Sequence, residues 1–346
     1  RLIAVFANGD ARTALSTLEM AVLNGDYQND VTTVTVDTVE QCTSKKSLLY
    51  DKNGEEHYNL IQYDGLVNFM KAGIECANKV TTVSPTYAKE ILDPWFSHGL
   101  DPILNQRSWK LCGILNGIDT DNYNPETDPN IVANYNAEDF VEAKAANKKA
   151  LQERLGMAVR PDVPVIGIVS RLAGHKGFDL MKEVLEKSLW ERDVQYAVLG
   201  SGEWQYESFF RELHDKYPDK VGICIGFVPE LARKIYAGAD LFLMPSKSEP
   251  CGLSQMVALR YGTLPIVRET GGLKDSITDS GDGEGNGFTF RSYDAYDMLG
   301  AIYRGIEGYQ NKEGWKILVK RALECDMSWG KSANEYIKMY KALIKE

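Results

Sequence analysis

Val163-Pro164-Val165-Ile166-Gly167-Ile168-Val169 runs directly into Ser170-Arg171-Leu172-Ala173-Gly174-His175-Lys176-Gly177-Phe178-Asp179. The first seven residues are apolar or small with no polar alternation, as in a parallel strand covered on both faces. The next ten carry two cations and two glycines and open a helical pattern over 177–188. The same sequence of events repeats downstream. Strands are predicted over 194–199, 221–225, 241–244 and 264–267. Helices are predicted over 204–217 and 229–236, the latter with Pro229 at its start, and from about 253. Strand–helix alternation at this pace predicts an α/β fold with a Rossmann-like, doubly wound parallel sheet, whose ligands bind beyond the carboxyl ends of the strands.

Upstream, a helix is predicted over 66–80 and a short strand over 79–83. Ser84-Pro85-Thr86 then supplies a cap and a proline for the next helix. Residues 119–135, rich in Asn, Asp and Pro, read as a loop. Residues 136–156 form a charged helical run, and 315–346 are helical with a turn at 326–330. A chain of 346 residues with 44% hydrophobic and 25% charged residues is ordinary for a globular protein of two or three domains. A net charge of −10 argues against a nucleic-acid surface, so no nucleic-acid partner is expected. Cys42, Cys76, Cys112, Cys224, Cys251 and Cys325 form no CxxC pair, which suggests reduced thiols in a cytoplasmic protein rather than a zinc site or disulfide framework. No run approaches the ~20 apolar residues of a membrane span, so no membrane partner is expected. Arg1-Leu2-Ile3 lacks the pattern of a signal peptide, and without an initiator methionine the chain is expected to begin inside a longer one.

Four strand ends carry candidate chemistry. Arg171 and Lys176 can converge on one anion, although a solvated loop also accommodates two basic residues. Gly200-Ser201-Gly202-Glu203 lets a ligand approach the backbone, or is a plain turn. Lys247-Ser248-Glu249-Pro250-Cys251-Gly252-Leu253-Ser254-Gln255 leads into a helix whose first amides suit phosphate or sugar oxygens. Glu249 is placed at the mouth of the same cleft, or is an ordinary helix-start carboxylate. Cys251 reads equally as a packing residue. Arg268-Glu269-Thr270-Gly271-Gly272-Leu273 again offers glycines for close approach.

Taken together, the four loops resemble those of the bacterial glycogen and plant starch synthases, retaining glucosyltransferases of the GT-B fold. The resemblance runs from about Gln62 to the C-terminus. It includes Asn68-Phe69-Met70-Lys71-Ala72-Gly73-Ile74, Thr82-Val83-Ser84-Pro85-Thr86-Tyr87-Ala88, Gly113-Ile114-Leu115-Asn116-Gly117-Ile118-Asp119 and Tyr236-Ala237-Gly238-Ala239-Asp240. It implies that Arg171 and Lys176 bind the donor diphosphate and stabilise it as it leaves, and that Glu249 contacts the donor glucose. Cys251, Gly252, Leu253 and Ser254 would line that sugar with backbone amides, with Gly202, Thr270, Gly271 and Gly272 completing the donor site. Asn116 would face it from the inter-domain side. The implied reaction moves glucose from ADP-glucose to the 4-OH at the non-reducing end of an α-1,4-glucan, with retention. Nucleotide sugar and α-glucan are then the partners, with no metal and no cofactor.

Two of the family's motifs are absent from this sequence: a Lys-x-Gly-Gly loop and a His-x-x-Asp-Trp-His-type segment. None of His57, His98, His175 and His214 has the latter setting. The alternative expectation is therefore a catalytically silent protein that holds ADP or ADP-glucose. The N-terminus is of another kind. Gly9-Asp10-Ala11-Arg12-Thr13-Ala14-Leu15-Ser16-Thr17-Leu18-Glu19-Met20 and Tyr50-Asp51-Lys52-Asn53-Gly54-Glu55-Glu56-His57-Tyr58-Asn59-Leu60 resemble the lid of AAA+ ATPases of the replication-associated recombination type. Arg12 matches that family's nucleotide-sensing arginine, yet no GxxxxGK[ST] loop accompanies it, so a helical cap is the plainer reading. Leu15, Leu18 and Val22 stripe one face of a helix predicted over 11–24, a face that could cover the synthase-like part or pair with a second chain in a homo-oligomer. The chain thus reads as a chimera, and an interaction protein that oligomerises through its N-terminal segment is a further alternative. Residues 1–60 are a small, mostly helical lid-like segment, 61–115 a remnant of the GT-B N-terminal domain, and 116–346 its nucleotide-sugar-binding domain.

Overall fold

The computed structural model describes residues 26–28, 31–36, 39, 59–281 and 283–345. Arg12, the helix expected over 11–24 and the lid-like stretches 9–20 and 50–58 lie outside the described residues. The chain divides into two compact units, Arg1–Glu75 and Cys76–Glu346.

In the first unit, strands β1 (Asp26–Gln28) and β2 (Val31–Thr33) pair antiparallel. A second hairpin joins β3 (Gln62–Tyr63) to β4 (Leu66–Val67), with Tyr63 opposite Leu66. Asp64 and Gly65 between them both take positive φ, 49° and 74°. That is the two-residue turn an Asp-Gly pair favours. The turn corrects the helix expected from residue 66. Leu66 and Val67 are drawn into the hairpin, and helix α1 is shorter, Phe69–Cys76.

In the second unit, β5 (Val80–Thr82) pairs in parallel with β6 (Leu111–Gly113). Between them lie α2 (Pro85–Glu90) and α3 (Asp101–Gln106). The Ser84 hydroxyl accepts from the Tyr87 N–H at 2.9 Å, so Ser84 caps α2 with Pro85 following, as its sequence predicts.

The larger sheet contains β7 (Val165–Val169), β8 (Gln195–Gly200), β9 (Val221–Ile225), β10 (Leu241–Met244), β11 (Leu264–Arg268) and β12 (Phe288–Phe290). All neighbours are parallel, in the order β12-β11-β10-β7-β8-β9. Chain order therefore runs outward in both directions from the β7–β10 pair. That reversal is the switch point at which doubly wound sheets open a crevice at the strands' carboxyl ends.

Alternate residues serve the two faces. Val165, Ala197 and Leu199 pack with Leu151 of α4 (Phe140–Arg154) and with Leu231 and Ile235 of α7 (Pro229–Gly238). Ile166, Ile168 and Val198 join the main core, which takes in Met181 and Val184 of α5 (Phe178–Glu191) and Ile302 and Ile306 of α10 (Ala295–Gln310). Each buried Val, Leu, Ile or Met among them stabilises by about 1.5–3 kcal/mol. The remaining helices are α6 (Trp204–Lys216), α8 (Ser254–Arg260), α9 (Gly271–Ser276), α11 (Lys312–Glu324) and α12 (Trp329–Lys345).

The loop expected over 119–135 has no helix, but it is pinned rather than loose. Buried Asp128 accepts from the Tyr261 hydroxyl and pairs with Arg233 at 3.2 Å. Burial pushes its carboxyl up, but hydrogen bonds from Tyr261 and Asn130 and the charge of Arg233 bring it below its ordinary value. Among the described residues no helix is long and apolar enough to cross a membrane.

Candidate functional site

The loops after β7 and β10 meet at the switch point. Gly177 ends the first with φ at +83°, and a Cβ there would lie 2.3 Å from the Pro245 carbonyl oxygen. Only glycine permits that approach. The Lys247 N–H donates to the His175 carbonyl at 2.9 Å. Across this seam Lys176 Nζ donates to Glu249 Oε2 at 2.6 Å, and the Ser246 hydroxyl donates to the same oxygen at 3.0 Å. Glu249 is buried, at 7% exposure, rather than standing at the cleft mouth as the sequence suggests. Burial is tolerable because the carboxylate has both a charged and a hydroxyl donor. Arg171 is exposed, and its Nη2 lies 3.2 Å from His175 Nε2. His175 is largely exposed, but partial desolvation, with Lys176 and Arg171 close by, holds it below its ordinary value. A neutral imidazole can accept that Arg171 hydrogen bond.

The loops after β7 and β8 are zipped together. The Leu172 N–H donates to Ser201 at 3.0 Å and the Glu203 N–H returns to Leu172 at 2.7 Å. Gly202 is required by this packing, since a Cβ would lie 2.2 Å from the Leu172 carbonyl oxygen. Beside the seam opens a cavity of about 520 Å³ between Ser170, Arg171 and Gly202 on one side and Gly226, Phe227 and Val228 on the other. That volume is within the ~300–1,000 Å³ typical of ligand pockets. Phe227 stands 90% exposed at its lip. The 226–228 loop is not among the four strand ends singled out from the sequence. Its signal was available, as a fifth strand end, β9, followed by glycine and an aromatic.

The loop after β11 packs on the loop after β10. A Cβ on Gly271 would lie 2.0 Å from the Glu249 carbonyl oxygen, and one on Gly272 2.1 Å from that of Cys251. These glycines allow loop-on-loop contact, a packing role beside the ligand role that the resemblance implies for them. The Thr270 hydroxyl and the Gly271 N–H both donate to Glu90 of α2. Cys251 is buried. Burial pushes its thiol up, opposed by a hydrogen bond from the Asn116 backbone, which places Asn116 against this loop. Asn116 also lines a cavity of about 400 Å³ with Asp275, Lys331 and Glu335. The Ser254 hydroxyl is engaged with buried Tyr236. Leu253 is half exposed at the start of α8, after Gly252 with φ at +68°.

A parallel sheet with basic and glycine-rich loops at its switch point defines a class of α/β proteins suited to binding an anionic ligand there. Residues 152–316 match the family described as Glycosyl transferases group 1, and residues 1–62 match the AAA C-terminal domain. The chain is 47% identical over 324 residues to the glycogen synthase of Exiguobacterium sibiricum, covering 92% of this chain and 67% of that protein. It is likewise 47% identical over 326 residues to the Bacillus cereus glycogen synthase, with 92% and 68% covered. The chain belongs to the glycogen synthase family of glucosyltransferases. It also matches the catalytic domain of starch synthase IV from Arabidopsis thaliana, solved with ADP and acarbose, at 38% identity and a TM-score of 0.77. That match covers 84% of this chain and 62% of the other. Sucrose-phosphate synthase from Thermosynechococcus elongatus, 18% identical with a TM-score of 0.54 over 84% of this chain and 66% of that one, shares the fold. The chain thus spans about two thirds of the length of the relatives it matches. A share of 92% exceeds what residues 62–346 supply, so those alignments begin inside the stretch that the AAA family also matches.

Proposed function

We propose that this chain transfers glucose from ADP-glucose to the non-reducing 4-OH of an α-1,4-glucan, with retention, in the cytoplasm. The observation that carries the reading is the Lys176–Glu249 contact across the switch point, with Arg171 on the same loop, in a chain 47% identical to glycogen synthases. The nucleoside would occupy the cavity between Arg171 and Phe227. The diphosphate would lie against Arg171 and Lys176, and the glucose against Glu249 and the amides of 251–254. Lys176 has three donors and uses one on Glu249, so it can bridge that carboxylate and a phosphate oxygen. As the bond from the sugar C1 to the diphosphate oxygen breaks, negative charge gathers on ADP and positive charge on the sugar ring. Fixed cations facing the first and a fixed carboxylate near the second lower that barrier. Arg171 and Lys176 supply these cations, and the proposed chemistry uses neither a metal nor a cofactor.

A second reading, a protein that holds the donor without turning it over, is supported by the position of every proposed donor-site residue within the one compact unit Cys76–Glu346. Both readings require a donor site. Calorimetric titration should show ADP binding at sub-millimolar concentration and UDP binding more weakly. No heat of binding at millimolar ADP would overturn both.

A further inference from the structure

α2 and α9 are six residues each, and each receives a carboxylate from the other at its N-terminus, in α2 beside the cap that Ser84 supplies. Asp275, near the end of α9, accepts from the Ser84 hydroxyl, from the Thr86 N–H at 3.0 Å and from the Thr86 hydroxyl at 2.5 Å. Glu90, the last residue of α2, accepts from the Thr270 hydroxyl at 3.0 Å and from the Gly271 N–H at 3.0 Å, and its second oxygen is within 3.2 Å of both donors. Two antiparallel helices thus exchange carboxylates, each placed on the positive, hydrogen-donating end of its partner. Such charge-assisted bonds are among the stronger a fold can make.

The clasp does not end at Gly271. That residue has φ at +43° and leaves no room for a Cβ against the Glu249 carbonyl oxygen. The Gly272 N–H donates to the same carbonyl at 3.1 Å. Glu249 then holds Lys176 through its side chain at 2.6 Å. A continuous set of short polar and packing contacts therefore runs from Glu90 through the Thr270–Gly271 turn and the Glu249 backbone to the cation proposed to face the diphosphate.

We propose that Glu90 and Asp275 are positioning residues for the donor site, a reciprocal clasp that sets the Thr270–Gly271 turn and through it Glu249 and Lys176. This rests on the function proposed above. Neither carboxylate touches the donor in this account.

The test is ADP affinity by calorimetry in Glu90→Gln, Asp275→Asn and Thr270→Val, each checked for folding by its melting curve, and in the Glu90→Gln/Thr270→Val double variant. Glu90→Gln should weaken ADP about tenfold. Thr270→Val, which spares the Gly271 bond, should weaken it less and remains informative if Glu90→Gln fails to fold. The double variant should be no weaker than Glu90→Gln alone, because both act through one contact. A purely structural clasp would lower the melting temperature and leave ADP affinity unchanged, and that result overturns the inference. Additive losses in the double variant would overturn it as well. Failure of the unsubstituted chain to bind ADP overturns the proposed function, and this inference with it. Normal binding that ignores all three substitutions overturns the clasp alone.

Discussion

Lys176 and Glu249 lie 73 positions apart in the chain and 2.6 Å apart in space. The types of both residues were readable, because each follows a recognisable strand end, but the pairing was not, because only the sheet order brings those ends together. The same holds for Glu90 and Thr270, 180 positions apart, which no local pattern connects. Replacing Lys176 by Met removes a cation proposed for the diphosphate and leaves the buried Glu249 carboxylate with Ser246 alone. ADP should then bind about thirtyfold more weakly, the lower end of the ~2–5 kcal/mol typical of truncating a buried charge pair. Unchanged affinity by calorimetry would remove Lys176 from the site. His175 gives a pH prediction. Its folded value is depressed by partial desolvation and by Lys176 and Arg171, below the 6.5 of a free imidazole. As pH falls through 6.5 the unfolded chain takes up this proton before the folded one does. The stability associated with neutral His175 is therefore present above 6.5 and is lost as pH falls toward the folded value. An NMR titration should place the midpoint of His175 below 6.5, and a midpoint above it contradicts the assignment.

At the scale of elements, the continuous apolar runs of β7 to β11 are what made the parallel sheet legible. Boundaries agree to within a residue or two, because a strand buried on both faces must be apolar throughout. Other elements carry no such signal. β12 is three residues long, and α10 contains Gly300, Gly305 and Gly308, which weaken a helical reading. Packing explains two of these glycines. A Cβ on Gly305 would meet Leu241 at 3.1 Å, and one on Gly308 would meet Phe288 at 3.3 Å, so the absent side chains let α10 approach the sheet. The seam between the β7 and β10 loops is more severe. Gly177→Ala would combine a left-handed backbone with a Cβ 2.3 Å from the Pro245 carbonyl oxygen. It should cost about 3 kcal/mol, from strain and overpacking together, and weaken ADP binding. Gly156→Ala is the control. Its φ is +68° with nothing within 4 Å, so it should cost about 1–2 kcal/mol and leave ADP affinity alone. Urea unfolding of both variants checks the order. Equal losses would mean that the two loops do not need their close seam.

At the scale of the molecule, the AAA C-terminal domain matches residues 1–62 and the glycosyltransferase family residues 152–316, while the glycogen synthase relatives align across 92% of the chain and so overlap the first of these stretches. The crevice proposed for the donor lies within one compact unit, Cys76–Glu346, which contains every residue assigned to it. What sequence alone left open is whether that unit aligns donor and acceptor well enough for turnover, since alignment can be worth about 7–11 kcal/mol of barrier. The most direct measurement is transfer of radiolabelled glucose from ADP-glucose onto glycogen by the purified chain, beside an Arg171→Ala control. The account predicts incorporation that falls to background in the control. A folded chain that binds ADP and incorporates no label would contradict it and leave the donor-holding protein as the reading that stands.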